Sequence, residues 1–369
     1  MQFILVLLFS LLVSGGAFAQ DAGSTSGALQ SSNLLNPNIS AIGWLQVEAG
    51  RRHPGPAEAG ESGNAIQMRE VELSLQAVVD TLARADLFVA IDEDDVELEE
   101  GYLTWFRLPW NLALKAGKFK ANFGRFNRIH TPETPFADRP LVQQNYFGSE
   151  GLEGPGASVS WQAPIPWFFM NLDLETLQAP EAAENPSFDR PKSKNLLGVG
   201  RLNAYQDLTE AWNLTLGGSA AFGPSSQEFD AVTGSSHTHH SQLYGADLTL
   251  RWKNPRRAVY RSFLWSTEAL WSNRDEPGGM TTDSHGLFSY IDYQFARRWH
   301  TGFRYDYTQF PADGSTHEEG HLAYVTFTPS EFSLVSLQGR HVKRPDGTDE
   351  HLGFLKVTFN IGPHGAHPF

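Results

Sequence analysis

Two groups of histidines are the residues in this chain best suited to metal chemistry. The segment His317-Glu-Glu-Gly-His321 has the spacing of zinc proteases, which need both imidazoles on one face of a helix and the glutamate as a base. Here the segment follows Pro311-Ala-Asp-Gly314 and runs into an alternating apolar pattern. We therefore expect a strand, in which residues four apart lie about 13 Å from each other. No shared metal and no protease are predicted.

The second group is His237, His239 and His240, in a segment that we expect to be an external loop. Imidazoles at this spacing could hold a transition metal weakly, and the alternative is a solvated polar loop. Serine, histidine and acidic residues are abundant elsewhere, but no local pattern singles out a nucleophile. We predict a protein that is not an enzyme and needs no cofactor.

The first residues have the pattern of an export signal. Phe3 to Val13 is an almost unbroken apolar run, and Ala17-Phe18-Ala19 forms a small-x-small site before Gln20. The run is too short for a spanning helix, which needs about 20 residues. We expect 1–19 to be a cleaved signal peptide and 20–37 to be a periplasmic segment. The chain has no cysteine, so no disulfide framework is expected. Its net charge of −14 argues against nucleic-acid binding, which needs a basic surface.

Alternation of apolar and polar residues dominates the remaining chain. In Trp212 to Phe222 and in Trp299 to Tyr307, every second residue is apolar, as expected for strands with one apolar face. About 16 such segments follow each other, and no long amphipathic helix is evident. The segments are 38–49, 66–78, 84–92, 96–108, 111–119, 155–163, 167–178, 195–205, 211–222, 242–252, 259–271, 285–295, 299–310, 321–328, 332–342 and 351–361.

The connections alternate between short turns and longer segments rich in Gly, Pro and charge, with an exception in the short acidic link after Ile91. Short periplasmic turns, longer external loops and an even strand number are typical of outer-membrane barrels. The fold class predicted is all-β: a transmembrane, antiparallel, up-and-down β-barrel over 38–361, with a C-terminal tail over 362–369. The longer connections are 50–65, 120–154, 179–194, 223–241, 272–284, 311–320 and 343–350.

The two faces of these strands have different chemistry. Aromatic residues bracket the apolar face 8 to 10 residues apart, at Trp212 and Phe222, for example, which spans roughly the 25 Å height of a lipid-facing band. The opposite face is charged, and ionised groups in a packed core would cost several kcal/mol. We therefore expect a wet lumen. The residues expected to line it are Glu70, Glu72, Asp173, Glu175, Arg201, Asp247, Arg251, Asp292, Arg304, Asp306, Arg340 and Lys356.

The longest connection, 120–154, contains aromatics, prolines and both charges. Loops of this length are usually functional or disordered, and its composition favours a folded loop. A loop folded into a 16-stranded lumen narrows it, and its charges then set ion preference. We predict a constriction loop, with these candidate pore residues: Lys118, Lys120, Arg125, Arg128, Glu133, Asp138 and Arg139.

Gly117-Lys-Phe-Lys120 followed by Phe123-Gly-Arg125 resembles the strand and loop entry of the phosphate-selective porin family. Other segments resemble related porin-like barrels, some of them labelled as zinc-regulated or TonB-dependent receptors: Asn127-Arg128 with His130, Pro135 to Leu141, and Leu35 to Ala41. The resemblance implies that basic residues at the constriction attract anions. The predicted lumen contains more acids than bases, which departs from that pattern. A TonB-dependent receptor also needs a plug domain and about 22 strands, and the predicted strands do not reach that number.

These patterns predict a porin of the bacterial outer membrane, through which small hydrophilic solutes or ions diffuse passively. The expected partners are outer-membrane lipid, the barrel-assembly machinery, small solutes and two further copies in a homotrimer. The alternative function is an outer-membrane receptor or channel that handles transition-metal ions through its external histidines. A secreted soluble β protein is the third possibility.

Overall fold

The computed structural model describes residues 37–51, 64–181, 185–189, 195–230, 235–255 and 260–362. These residues form one closed sheet of sixteen antiparallel strands, in which each strand pairs with its neighbours in sequence. The predicted strand number and fold class are confirmed. The strands are β1 Asn38–Arg51, β2 Ala65–Asp80, β3 Ala83–Ile91, β4 Val96–Leu108, β5 Leu112–Lys120, β6 Glu153–Gln162, β7 Phe169–Gln178, β8 Leu196–Asp207, β9 Trp212–Asp230, β10 Ser235–Lys253, β11 Ser262–Glu276, β12 Met280–Ala296, β13 Trp299–Phe310, β14 Asp313–Ser330, β15 Ser333–Lys343 and β16 Asp349–Ile361.

The barrel closes between its first and last strands. β1 and β16 pair without interruption from Ala41 opposite Ile361 to Arg51 opposite His351. Closure satisfies the backbone groups that an edge strand would leave unpaired, as a strand in hydrocarbon requires. Among the described residues, no helix has the length and apolar character needed to cross a membrane. The predicted signal peptide 1–19, most of the segment 20–37 and the tail after Gly362 lie outside the described residues.

The outer face of the barrel is apolar and the inner face is mixed. Along β16, Leu355 and Phe359 are exposed on the outer face, whereas Lys356 between them is fully buried inside. Exposed apolar residues recur on the outer face around the sheet, as lipid contact requires. They include Leu174, Leu202, Leu216, Phe222, Tyr244, Trp299, Phe303, Val325 and Leu337.

Three of the predicted external loops are mostly strand. β9 and β10 extend the hairpin over most of 223–241, β11 and β12 meet at Pro277–Gly279, and β13 and β14 are separated by two residues. The loop predictions for 223–241, 272–284 and 311–320 are therefore wrong. Ladder hydrogen bonds and cross-strand contacts stabilise these polar strand ends although they lack the apolar alternation used to recognise a strand.

The connection between β5 and β6 is the one long folded loop among the described residues, and we call residues 121–152 the lumen loop. It contains two short 3₁₀ turns, Phe126–Arg128 and Thr131–Glu133, and one helix, α1, at Leu141–Phe147. α1 packs against β12 and β13. The lumen loop therefore folds into the barrel and not away from it.

Candidate functional site: the loop-filled lumen

The lumen loop fills part of the barrel with an apolar core. Phe123, Phe126, Phe136 and Phe147 have almost no exposed surface, and Phe136 packs edge-to-face with Tyr290 at 5.1 Å. The residues facing them from the barrel wall are equally buried. Those wall residues are Leu197, Val199, Ala221, Leu243, Leu264, Leu270, Phe288, Tyr290, Leu322 and Tyr324.

This core changes the expectation of a wet lumen lined throughout by charge. The wall of β8 to β14 is partly apolar on its inner face because the loop covers it. Several predicted lumen charges consequently bond to the loop or to each other. Glu175 accepts the backbone N–H of Asn122 at 2.8 Å, and Arg201 pairs with Asp247 at 2.7 Å. Burial of such charges is tolerated because they are paired.

Wall side chains also hold the loop backbone. Glu268 accepts hydrogen bonds from the backbone N–H groups of Arg125 at 2.9 Å and Phe126 at 2.6 Å. From the opposite wall, Lys356 Nζ donates to the carbonyls of Thr134 at 2.7 Å and Phe136 at 2.9 Å. These bonds replace the water that loop backbone groups would otherwise require.

Asp138 ties the loop to the barrel wall through two arginines. Its carboxylate accepts a hydrogen bond from Arg304 at 3.1 Å and a second from Arg340. Arg304 is fully buried and lies over the ring of Phe136 at 4.4 Å. Burial would raise the pKa of Asp138, but the two guanidinium groups outweigh it and lower that pKa. Asp138 is therefore ionised throughout the neutral range.

Two cavities lie one above the other beside the loop. The outer cavity, of about 880 Å³, is lined by Trp44, Glu70 and Glu99, among others. The inner cavity, of about 230 Å³, is lined by Ile42 and Glu72, the next inward residues of the same strands, and by the adjacent Glu100. The two cavities thus lie at consecutive levels along the strands β1, β2 and β4.

Carboxylates dominate the outer cavity. Four lie in the turn between β3 and β4, where the chain reads Asp92-Glu-Asp-Asp95 and all four are exposed. The acidic lining residues are Glu48, Glu70, Asp92, Glu93, Asp94, Asp95, Glu97, Glu99, Asp138 and Glu150, and the basic ones are Arg69, Arg139, Arg340 and Arg344.

A layer of buried charge separates the two cavities. It depends on a β-bulge in β4, where Phe88 pairs with Glu100 and the next residue of β3, Val89, pairs with Leu98. The extra residue, Glu99, turns inward together with Glu100, and both are buried. Without the bulge, consecutive residues of β4 would face opposite sides of the sheet.

His130 of the loop lies between these glutamates. Its Nδ1 is 2.7 Å from Glu99 Oε2 and 3.1 Å from Glu72 Oε2, and its Nε2 is 2.7 Å from Glu100 Oε1. Phe88 stacks on the ring at 4.9 Å. Burial would lower the pKa of His130, but the surrounding carboxylates raise it well above its usual value. We call Glu72, Glu99, Glu100 and His130 the glutamate–histidine cluster.

The predicted constriction residues are distributed over this layer and its surroundings. Lys120 is buried beside the cluster, 3.4 Å from Glu99 and 3.2 Å from Glu153. Arg128 and Glu133 line the inner cavity. Lys118 lines neither cavity, because it is held by Glu97 and Glu153 at the end of β5.

The other loop arginines differ in their contacts. Arg125 reaches Ser266 and Tyr290 on the wall, at 3.4 Å each. Arg139 is only 3% exposed, lines the outer cavity and makes no hydrogen bond through its guanidinium nitrogens. Its guanidinium lies 5.7 Å from the ring centroid of Phe126. Arg139 is therefore the buried cation with the fewest direct partners in this lining.

The remaining predicted lumen charges also face inward. Asp173 accepts a bond from Asn122, Asp292 accepts one from Tyr324 at 2.7 Å, and Asp306 pairs with Arg304 at 2.7 Å. Arg251 on β10 is partly buried.

The structure does not bring the three external histidines together as a group of metal ligands. His240 stacks on Phe222 at 5.1 Å on the outer face, whereas His239 lies 3.4 Å from Glu228. His237, His239 and His240 do not converge within ligand distance. Over the described part of the chain, the one group of three that does converge is Glu72, Glu99 and His130.

The protease-like motif lies in β14, as expected for a strand. His317 stacks on Tyr307, and His321 packs against Tyr305 with its ring tilted, along the outer face of the barrel. Glu318, the position of the zinc-protease base, instead faces inward and bonds to Arg344 at 2.7 Å. The two histidines and the glutamate are thus on opposite faces of the sheet.

The sequence indicated the loop and its position but not how the cluster forms. Alternation places only one of two consecutive strand residues on the inner face, so it does not predict that both Glu99 and Glu100 face the lumen. His130, in the lumen loop, is not among the predicted constriction residues either. Two adjacent acids before Gly101 are compatible with a bulge that turns both inward. The bulge itself, however, is set by the pairing of β3 with β4.

No protein-family model matches the chain. An uncharacterised protein of Aquifex aeolicus is 28% identical over 90% of this chain and 77% of its own length.

The solved structures to which the chain is similar are outer-membrane barrels. OprB of Pseudomonas putida has a TM-score of 0.61 at 11% identity, covering 94% of this chain and 100% of its own. The anion-selective porin of Comamonas acidovorans has 0.58 at 9%, covering 88% and 100%. OmpT of Vibrio cholerae, in a trimer form, has 0.55 at 10%, covering 88% and 100%. At these identities the likeness establishes a porin-type barrel fold.

Proposed function

We propose that this chain is a porin of the bacterial outer membrane through which small hydrophilic solutes and ions diffuse passively. One observation carries the proposal: two polar cavities lie one above the other inside a closed barrel whose outer face is apolar. Such a barrel places lipid outside and a passage inside. The glutamate–histidine cluster and Lys120 form the narrow level between the cavities, so solutes pass or stop there.

We further propose that the channel favours cations. Acidic residues outnumber basic ones in the outer cavity, and the four acids of the β3–β4 turn are exposed at its mouth. A ring of carboxylates attracts cations and repels anions at short range. Two lysines suggested by the resemblance to phosphate-selective porins, Lys118 and Lys120, are neutralised by neighbouring glutamates. Anion attraction at this entry is therefore weak.

Planar-bilayer recordings of the purified chain test both statements. The expected result is discrete channels whose reversal potential in a KCl gradient has the sign of K⁺ preference. Channels with chloride preference would contradict the cation proposal and leave the porin proposal standing. A chain that inserts into the bilayer and forms no channel would contradict both.

Location and assembly belong to the same proposal. We infer export through the signal peptide 1–19, insertion into outer-membrane lipid by the barrel-assembly machinery, and assembly as a homotrimer. The porin-type fold supports this inference, and so does the trimer form of the Vibrio cholerae neighbour. Light scattering of the detergent-solubilised protein, corrected for bound detergent, should give three chains per particle. A single chain per particle would contradict the homotrimer.

A further inference from the structure

One carboxylate oxygen in the glutamate–histidine cluster has no hydrogen-bond donor. Glu72 is 2% exposed, and its Oε2 accepts no hydrogen bond although it lies 3.1 Å from His130 Nδ1. The single hydrogen that Nδ1 can carry is directed to Glu99 Oε2, which is closer at 2.7 Å. One N–H cannot serve two carboxylates at full strength, and an unsatisfied buried carboxylate is costly.

The cluster also carries an excess of negative charge. Three carboxylates, from Glu72, Glu99 and Glu100, surround one imidazole at 2.7 to 3.1 Å. The nearest further cation, Lys120, is 3.4 Å from Glu99 and shares its charge with Glu153 at 3.2 Å. A buried group of this kind requires more positive charge than one proton and one lysine provide.

We propose that the glutamate–histidine cluster binds a divalent transition-metal ion of the Zn²⁺ class. Its ligands are one carboxylate oxygen each of Glu72 and Glu99 and a ring nitrogen of His130, three atoms that lie within 4.8 Å of one another. The ring nitrogen that lies near both glutamates is Nδ1. Glu100 accepts the remaining N–H of His130 at 2.7 Å and so fixes the ring with Nδ1 towards the metal. Water in the inner cavity, which Glu72 and His130 line, completes the coordination.

The donor set selects the kind of ion. Imidazole nitrogen with two carboxylates suits Zn²⁺, Mn²⁺, Fe²⁺ and Co²⁺, whereas Ca²⁺ and Mg²⁺ prefer oxygen alone. Zinc bonds to nitrogen and oxygen of about 2.0–2.2 Å place tetrahedral ligands roughly 3.4 Å apart. The observed spacings from Nδ1, 2.7 Å to Glu99 and 3.1 Å to Glu72, would have to widen by about 0.7 and 0.3 Å to admit the ion.

The site would also link separate parts of the barrel. Glu72 comes from β2, Glu99 from the bulge of β4 and His130 from the lumen loop. A bound ion therefore ties the loop to the wall at the level between the two cavities. Because it binds the docked loop and not the undocked one, it stabilises docking by mass action.

The test uses the refolded full barrel in detergent, freed of metal with a chelator and titrated with Zn²⁺ by calorimetry. We expect one Zn²⁺ per chain, and at least a tenfold loss of affinity in Glu72→Gln and in His130→Gln. Glu100→Gln, which removes no ligand, should weaken binding about 10- to 100-fold. The matched control is a variant with His237, His239 and His240 all changed to Asn, which should bind Zn²⁺ as the wild type does.

A second readout is the rate at which trypsin cuts the lumen loop. Zn²⁺ at a hundred times the wild-type dissociation constant should slow cleavage about 100-fold in the wild type and by no more than about 10-fold in Glu72→Gln. The site is refuted by wild-type protein that binds no Zn²⁺, by equal affinity in Glu72→Gln, or by binding that disappears only in the triple histidine variant. Far-UV circular dichroism verifies that each variant has refolded as a β-barrel. If His130→Gln does not refold, the Zn²⁺ affinities of Glu72→Gln and Glu100→Gln test the site.

Discussion

Replacing Asp138 by Asn should release the lumen loop while leaving the barrel intact. The substitution keeps the shape of the side chain but removes the charge that faces Arg304 and Arg340. Both arginines keep other partners, because Arg304 pairs with Asp306 at 2.7 Å and Arg340 with Glu350. The loss is therefore limited to the charge-assisted bonds of Asp138 itself.

The size of the effect follows from those bonds. A hydrogen bond to a charged group contributes about 1.5–3 kcal/mol. Two are weakened, and asparagine retains one acceptor oxygen, so we expect docking to lose about 3 kcal/mol. At a factor of ten for each 1.4 kcal/mol, the undocked population rises about 150-fold.

Trypsin cleavage of the refolded barrel measures that population. The loop offers cleavable bonds after Arg125 and Arg128, and the residues that follow them, Phe126 and Ile129, are buried when the loop is docked. When the loop opens and closes faster than it is cut, the cleavage rate tracks the open population. Asp138→Asn should thus be cut about 150-fold faster. Asp313→Asn, which changes an exposed carboxylate at an external hairpin, is the control and should be cut at the wild-type rate. Equal rates in Asp138→Asn and the wild type would refute the anchor.

Three further outcomes follow from the same geometry. Since the pKa of Asp138 is lowered on folding, its stabilisation of docking is present above the ordinary carboxyl pKa and is lost as pH falls through the folded value. Conductance should consequently be constant from about pH 7 to 5 and rise below about pH 4, and a rise already between pH 7 and 5 would contradict this. Changing Asp92, Asp94 and Asp95 together to Asn should move the reversal potential towards zero, and an unchanged potential would show that the outer cavity does not select ions. Leu355→Arg on the outer face should lower the free energy of unfolding in lipid by about 2–4 kcal/mol, as measured by urea titration in vesicles. A loss under about 0.5 kcal/mol, typical of a solvated surface, would place that face in water.

The strand number and the two faces could be predicted because alternation records them residue by residue. The apolar core under the loop could not be predicted in the same way, although a trace of it is visible. In β14, Leu322, Ala323, Tyr324 and Val325 are all apolar, and in β12 Phe288 and Tyr290 interrupt the polar face. Continuous apolar runs of this kind indicate a strand covered on both sides. The covering element, the lumen loop, is distant in sequence, so local patterns do not identify it.

The candidate site, too, could be predicted only in part from the sequence. The constriction loop and many inward charges follow from length and alternation, but their pairing does not. Asp138 finds Arg304 and Arg340 across the lumen, more than 160 residues away along the chain. Glu100 faces inward beside Glu99 because of one β-bulge, and strict alternation would have placed the two on opposite faces. Long-range register and loop docking, and not residue type, decide these contacts.

The decisive experiment compares the single-channel conductance of the wild type with that of a variant lacking residues 126–147. The deletion removes α1 and most of the buried aromatic residues that the lumen loop contributes, while all sixteen strands remain. We expect channels in both proteins and a larger unitary conductance in the variant. Equal conductance, or no channel in either protein, would contradict a passage through the barrel narrowed by its own loop.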